Sequence, residues 1–305
     1  MRGMKFLLGA LLTATTALAA PVLKADPVPK PVADMLRIAV DSGDPALAAR
    51  MVQMAKTSNP TATIAIDALY KKLLDSAQKR RRAMLAKQRY YQGWKGKGEF
   101  GALDTTGQVN STGITANLTL VRDGLRWKQA FAASVDYLHH DGVEERDRYF
   151  ASHQVNYKFS DRLYGLGLAS WEGNRAQGFN SRFSASLGAG VTLVRTPQMG
   201  LSVEASPALR STDYLGAGSD TSFAARVAGN YHWNVTPRLT LSEDATYYRE
   251  SDDHTLTSEA AMTVKLIGAL STRFSYRVQK EEKSLPLPTL NSDDSTSRVS
   301  LVYTF

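Results

Sequence analysis

The sequence predicts an all-β chain: a twelve-stranded antiparallel transmembrane β-barrel with an N-terminal α-helical periplasmic extension. Three observations carry that expectation. From Gly93 onward, apolar residues alternate with period two through long Thr-, Ser- and Tyr-rich segments. The connections between those segments alternate between short and long, the layout of a bacterial outer-membrane barrel. The chain opens on an export signal.

Residues 1–19 read as a signal peptide. Arg2 and Lys5 form the charged start, Phe6 to Leu12 begin a short apolar core, and Ala17-Leu18-Ala19 is a cleavage site. No apolar run in the 305 residues reaches the roughly 20 that a spanning helix needs, so a helical membrane protein is excluded. The 13 Tyr, 10 Phe and 4 Trp are too many aromatics for a disordered chain. The absence of cysteine removes thiol nucleophiles, disulfides and cysteine-held metals from consideration.

Residues 20–31 form a Pro-rich leader, with Pro21, Pro27, Pro29 and Pro31. Residues 32–92 form a basic helical periplasmic segment. Two short helices are expected over Val32–Val40 and Pro45–Lys56, with Asp44-Pro45 as the start of the second. Asn59-Pro60-Thr61 opens a longer helix to about Gln92, on the spacing of Ile66, Leu69, Leu73, Ala77 and Met84. A break is expected at 79–82, where the apolar period lapses.

Residues 93–305 form the barrel. Strands are expected near 95–103, 112–121, 125–139, 147–159, 162–171, 181–194, 200–210, 221–234, 238–248, 255–266, 270–281 and 295–305. Short turns fall at 122–124, 160–161, 196–198, 235–237 and 267–269; long loops fall near 104–111, 140–146, 172–180, 211–220, 249–254 and 282–294. An even strand count puts both barrel ends, and the helical segment, on the short-turn, periplasmic side.

Alternation alone does not separate a membrane barrel from a soluble sandwich, since both have one apolar face. Aromatic position does. Tyr157, Phe159, Tyr231, Trp233, Tyr303 and Phe305 gather at the short-turn ends, and Tyr137, Trp171 and Tyr247 at the opposite ends. Two such girdles belong at two membrane interfaces. Two strands fit less well. Strand nine places Glu243 on the lipid face between Leu241 and Ala245, which implies a bulge, an oligomer contact or a misplaced strand. Strand five is apolar on both faces.

Arg298-Val299-Ser300-Leu301-Val302-Tyr303-Thr304-Phe305 ends the chain on a terminal Phe with Val299, Leu301 and Tyr303 at alternate positions before it. This resembles the signal read by the outer-membrane barrel-assembly machinery, a partner during biogenesis. The stretch Gly93-Trp94-Lys95-Gly96-Lys97-Gly98-Glu99-Phe100-Gly101, then Thr105 to Thr112, then Arg126-Trp127-Lys128, resembles domain-of-unknown-function family 481. Gln108 stands where the family commonly has Asn. The resemblance covers about residues 93–305 and implies a salt-induced outer-membrane barrel; it supplies no catalytic residues.

The formal charge of +8 is unevenly spread. The signal carries two bases; residues 20–92 carry 13 basic and 6 acidic residues; residues 93–305 carry 22 basic and 23 acidic. The excess sits at Lys71, Lys72, Lys79, Arg80, Arg81, Arg82, Lys87 and Arg89. A solvated helix face, docking on an anionic leaflet, and contact with a periplasmic partner are all open for it. Export makes nucleic acid no partner. Lipid and lipopolysaccharide are the expected surroundings, and acidic loop residues such as Asp141, Glu144, Glu145, Asp252, Glu281 and Asp294 match no calcium-loop pattern.

The inward face is expected to carry Glu99, Arg126, Lys128, Asp136, Lys158, Arg182, Glu204, Arg210, Arg226, Asp244, Glu259, Lys265, Arg273, Arg277 and Arg298, ten basic against five acidic. A water-filled lumen so lined favours anions. A narrow anion-leaning pore, linked through the resemblance to salt or osmotic conditions, is therefore one expectation. A lumen closed by Arg–carboxylate pairs or by the leader helix, serving a structural or interaction role, is the other. An outer-membrane lipid hydrolase using His139 or His153 is remote: no G-x-S-x-G or H-E-x-x-H occurs. No enzyme, cofactor or metal site is expected.

Overall fold

The computed structural model describes residues 27–106, 111–139, 148–216, 218–251, 253–282 and 292–305. The expected signal peptide, most of the expected Pro-rich leader, the first-loop residues Gly107 to Asn110, and the loop acids Asp141, Glu144, Glu145 and Asp252 lie outside the described residues. The chain divides into two compact units, 1–78 and 79–305.

The first unit is helical. Helix α1 spans Lys30–Asp41 and α2 spans Pro45–Ser58. The Asp44 side chain accepts from the backbone N–H groups of Ala46 and Leu47 at 2.8 and 3.1 Å, which caps α2 as its Asp-Pro start predicts. After a single 3-10 turn at Pro60–Ala62, α3 runs over Thr63–Lys87. Leu36, Val52, Ala55, Ala62 and Ile66 form the core, and Leu69 and Leu73 pack on it. The expected break at 79–82 does not occur, because α3 passes through it. Lys and Arg are good helix formers, so a lost apolar face exposes a helix without ending it. No described helix is long and apolar enough to cross a membrane.

The second unit contains all twelve expected strands: β1 Trp94–Thr106, β2 Ser111–Asp123, β3 Trp127–His139, β4 Arg148–Lys158, β5 Leu163–Asn174, β6 Phe179–Arg195, β7 Met199–Tyr214, β8 Gly218–Asn234, β9 Leu239–Glu250, β10 His254–Ile267, β11 Leu270–Glu282 and β12 Ser292–Thr304. Each pairs antiparallel with its sequence neighbours, and β1 pairs with β12 to close the barrel. Closure leaves no sheet edge unpaired. At the seam, Gly96 and Phe305 exchange both backbone hydrogen bonds, at 2.8 and 2.9 Å.

Differences lie at the long-loop end. The expected loop 211–220 is mostly strand, since β7 runs to Tyr214 and β8 starts at Gly218. Its Ser, Thr and Asp residues hide period two, which is legible only while one face is apolar. The expected loop 172–180 is also short, with β5 running to Asn174, a 3-10 turn at Arg175–Gln177, and β6 starting at Phe179.

The seam depends on a residue with no side chain. A Cβ on Gly101 would sit 2.2 Å from the Val299 carbonyl oxygen and 2.7 Å from the Ser300 Cα. Backbone on a paired strand has nowhere to move. Gly101→Val is therefore expected to lower the yield of folded barrel sharply, read as loss of the compact, heat-modifiable band in unheated electrophoresis. An unchanged band intensity would show that the seam tolerates a side chain.

Candidate functional site

The two faces of the barrel wall are chemically opposite. Phe223 is 82% exposed and Leu187 74%, whereas Arg182, Arg226 and Asp136 are buried at 3%, 6% and 1%. Along β8, Phe223 and Val227 point out while Ala224, Arg226 and Ala228 point in. A soluble fold buries its apolar face; this one exposes it all round and encloses its charges. At the short-turn end, Trp127 and Tyr157 meet edge-on at 4.9 Å, Tyr157 and Phe159 at 5.3 Å, and Tyr303 stacks on Phe305. Val299, Leu301, Tyr303 and Phe305 are all exposed on the outer wall. Strand five resolves the same way: Leu166 is buried inward, and Leu163 and Trp171 face out.

Inside, four groups of polar side chains span the bore. The first centres on Asp136 (β3). It accepts from Thr115 (β2) at 2.6 Å and from Arg298 (β12) at 2.5 Å, with Arg148 (β4) at 3.8 Å. Arg298 continues to Glu259 (β10) at 3.6 Å, Glu259 to Arg273 (β11) at 2.6 Å, and Arg273 to Glu99 (β1) at 3.8 Å. Arg277 stands opposite Glu259 in the β10–β11 register, and its guanidinium donates to Gln279.

The second group centres on Glu204 (β7), which accepts from Arg226 (β8) at 3.0 Å, Gln154 (β4) at 2.8 Å and Tyr164 (β5) at 3.1 Å. The third joins Arg210 (β7) to Glu250 (β9) and to Thr255 (β10), with the guanidinium 4.5 Å above the Tyr248 ring. Asp244 stands apart from these, accepting from Asn230 at 2.7 Å.

The fourth group lies at the long-loop end and crosses the bore. Arg182 (β6) donates to both carboxylate oxygens of Glu281 (β11), at 2.6 and 2.9 Å, from five strands away in a ring of twelve. Its Nε donates to Thr212, and its guanidinium lies 3.9 Å from the Phe179 ring centroid. The turn between β5 and β6 folds into the same space. Gln177, 1% exposed, donates to Asp294 (β12) at 3.4 Å and accepts from Gln279 (β11) at 2.6 Å. A register shift between Phe179 and Ser181 turns Phe179 inward, where it packs fully buried against Tyr214.

Of the other inward candidates, Lys128 and Lys265 sit exposed at the short-turn mouth, and Lys158 pairs with Asp123 there. Arg126 lies in the turn before β3, with its guanidinium 3.2 Å from the Tyr157 hydroxyl. The inward inventory also changes. Glu281 and Asp294, expected as loop charges, are buried lumen residues, and Glu172 and Glu250 join them through their contacts with Arg182 and Arg210. On the basic side Arg148 joins the lumen, and Lys97 lies at the short-turn mouth on the same face as Glu99. The basic excess inside is therefore smaller than the sequence suggests.

Arginines at the short turns are occupied too. Arg122 donates to the carbonyls of Gln92 and Arg89, and Arg195 to that of Asp161. The bases of the helical segment, Lys71, Lys72, Lys79, Arg80, Arg81 and Arg82, are exposed on α3. His153 faces outward in mid-strand, and the one described histidine–carboxylate pair is His254–Glu282, at 3.4 Å on the long-loop rim.

A closed antiparallel barrel with an apolar outer wall, aromatic girdles and an enclosed charged bore is a transmembrane β-barrel. The chain belongs to the family described as "Protein of unknown function, DUF481", whose model matches residues 98–305. It is 23% identical over 178 residues to the uncharacterized protein YdiY of Escherichia coli (strain K12), covering 58% of this chain and 70% of that one. Among solved structures, it is similar to the NanC porin (9% identity, TM-score 0.46, 69% of this chain and 98% of that one). It is also similar to the KdgM porin in complex with disordered oligogalacturonate (10% identity, TM-score 0.41, 68% and 99%).

Proposed function

We propose that this protein is a passive, non-enzymatic outer-membrane barrel whose narrow bore is barred near its extracellular end. The observation that carries the reading is the bidentate Arg182–Glu281 bridge between strands five apart, braced by the inward turn at Gln177. A buried pair with this geometry is fixed in place, and it occupies the space an open porin leaves to water. What conducts in this state is a small-ion path past the bridge. Its preference leans to anions, because Lys128 and Lys265 are exposed at the periplasmic mouth with no ion pair among the described residues. A link to osmotic conditions follows the family resemblance; transcript levels after a sodium chloride upshift test it.

Planar-bilayer recording of the full-length protein tests the main reading. The expected record has small, infrequent current steps. Large, steady steps from the wild type would overturn the barred bore, and a complete absence of steps would favour a sealed, structural barrel.

For the exposed bases of α3, the proposal is contact with an anionic surface on the periplasmic side. Each such residue adds roughly 1 kcal/mol near an anionic leaflet. Replacing Lys79, Arg80, Arg81 and Arg82 by Gln is expected to weaken binding of the helical segment to anionic vesicles, measured by co-sedimentation. Unchanged sedimentation would leave these bases as a solvated face.

A further inference from the structure

The outer wall carries two ionisable side chains in the middle of its apolar band: Glu243 on β9 and His153 on β4. Neither the β8–β9 nor the β9–β10 register shifts, so Glu243 is neither on a bulge nor on a misplaced strand. Glu243 is four residues from the periplasmic end of β9, and His153 five from that of β4. At about 3.3 Å per residue and a tilt near 40°, both lie roughly 10–13 Å up the wall. They are at matching depth.

Each is incompletely satisfied. Glu243 accepts one hydrogen bond, from the Ser258 hydroxyl, and otherwise faces a shallow, open groove lined by Tyr231, Leu241, Met262, Phe274 and Tyr276. His153 is exposed and has no hydrogen-bond partner among the described residues. Ionisable groups in a membrane are costly and normally paired. Lipid head groups lie at the aromatic girdles, and acyl chains carry neither donors nor acceptors. The complementary groups at this depth are on the protein itself, but β4 and β9 are about 150° apart, five twelfths of the way round the barrel.

We propose that copies of this chain associate side by side in the membrane, with His153 of one barrel seated in the groove of the next and donating to its Glu243. Around His153 the outward face carries small residues at Ala133, Ala151 and Ala169, with Phe131 directly opposite it on β3, so close approach is open on the β5 side. The contact joins two different faces about 150° apart, so it is head-to-tail and extends into curved rows. The proposal rests on the membrane-spanning reading.

The cysteine-free chain makes the test clean. Full-length His153→Cys and Glu243→Cys are produced singly, mixed in one outer membrane, and oxidised with copper phenanthroline. The mixture is expected to give at least ten-fold more cross-linked dimer than either variant alone, and the double variant a ladder of higher oligomers. Equal dimer from Glu243→Cys alone, or yields no higher than those of a Leu187→Cys/Phe223→Cys control, would overturn the proposal. If the variants fail to fold, wild-type mass in native-membrane nanodiscs decides: several barrels per disc support it, and single barrels contradict it. Recovery of the wild type in the soluble fraction would instead remove the membrane reading, and this proposal with it.

Discussion

An Arg182→Ala/Glu281→Ala variant in planar bilayers is expected to give current steps several-fold larger than the wild type, because it removes the bridge that bars the proposed bore. The reason is geometric. Two long side chains meet across five strands of a twelve-strand wall, and alanine at both ends withdraws them to the wall. Removing both avoids stranding either charge of the bridge, and the Glu172 carboxylate that also faced Arg182 is partly exposed, so the barrel is expected to stay folded. The single variants separate the electrostatics. Glu281→Ala leaves the Arg182 guanidinium with Glu172, 4.0 Å away, as its remaining carboxylate and is expected to move the reversal potential in asymmetric KCl toward anions. Arg182→Ala leaves the carboxylate and moves it toward cations. Steps of wild-type size from the double variant would place the narrowest point elsewhere.

Asp136→Asn is expected to be the most destabilising single conservative substitution in the lumen. Asp136 is 1% exposed and serves Arg298, Arg148 and the Thr115 hydroxyl together. Asparagine keeps the shape but removes the charge that holds two buried guanidiniums. Breaking one partner out of a buried ion pair costs about 3–5 kcal/mol. The Nε atoms of Arg148 and Arg298 already lack a hydrogen-bond partner, and while Arg298 keeps its 3.6 Å contact with Glu259, Arg148 loses the ion pair described for it. Urea unfolding in detergent, followed by tryptophan fluorescence, should show a large drop in midpoint with little change in slope. By contrast, Asn230→Ala, at a site beside the exposed Asp244, should shift the midpoint little. Equal, small shifts for both would mean that the Asp136 network contributes little to holding the wall.

The fold was legible wherever one face of a strand met lipid. Phe223, Val227 and Leu187 announce outward positions because hydrocarbon accepts only such residues. Beyond the apolar band that constraint lapses, and there the reading fell short: residues 211–214 and 218–220 are strand although no apolar alternation marks them. The lumen was half legible. Parity along each strand identifies Arg182 and Arg226 as inward, but no local pattern says that Arg182 reaches Glu281, 99 residues away. Glu281 ends the expected strand 270–281 but reads as an acidic loop residue beside Glu282; because β11 continues through Glu282, it keeps the inward parity of Arg277 and Gln279. The turn at Arg175–Gln177 gives one retrospective signal. Asn174 caps it by accepting from the Gln177 N–H at 3.3 Å, and Asn at the start of a short helical turn is a common cap.

The orientation of the wall is tested most directly by single cysteines placed in turn at positions 223 to 228 of β8, in this cysteine-free chain, and spin-labelled in membranes. Collision with oxygen, which concentrates in lipid, should peak at 223, 225 and 227, and collision with a water-soluble nickel complex should not. Positions 224, 226 and 228 should be shielded from lipid. The reverse phase, or no two-residue period at all, would contradict a membrane-spanning barrel with its charges enclosed.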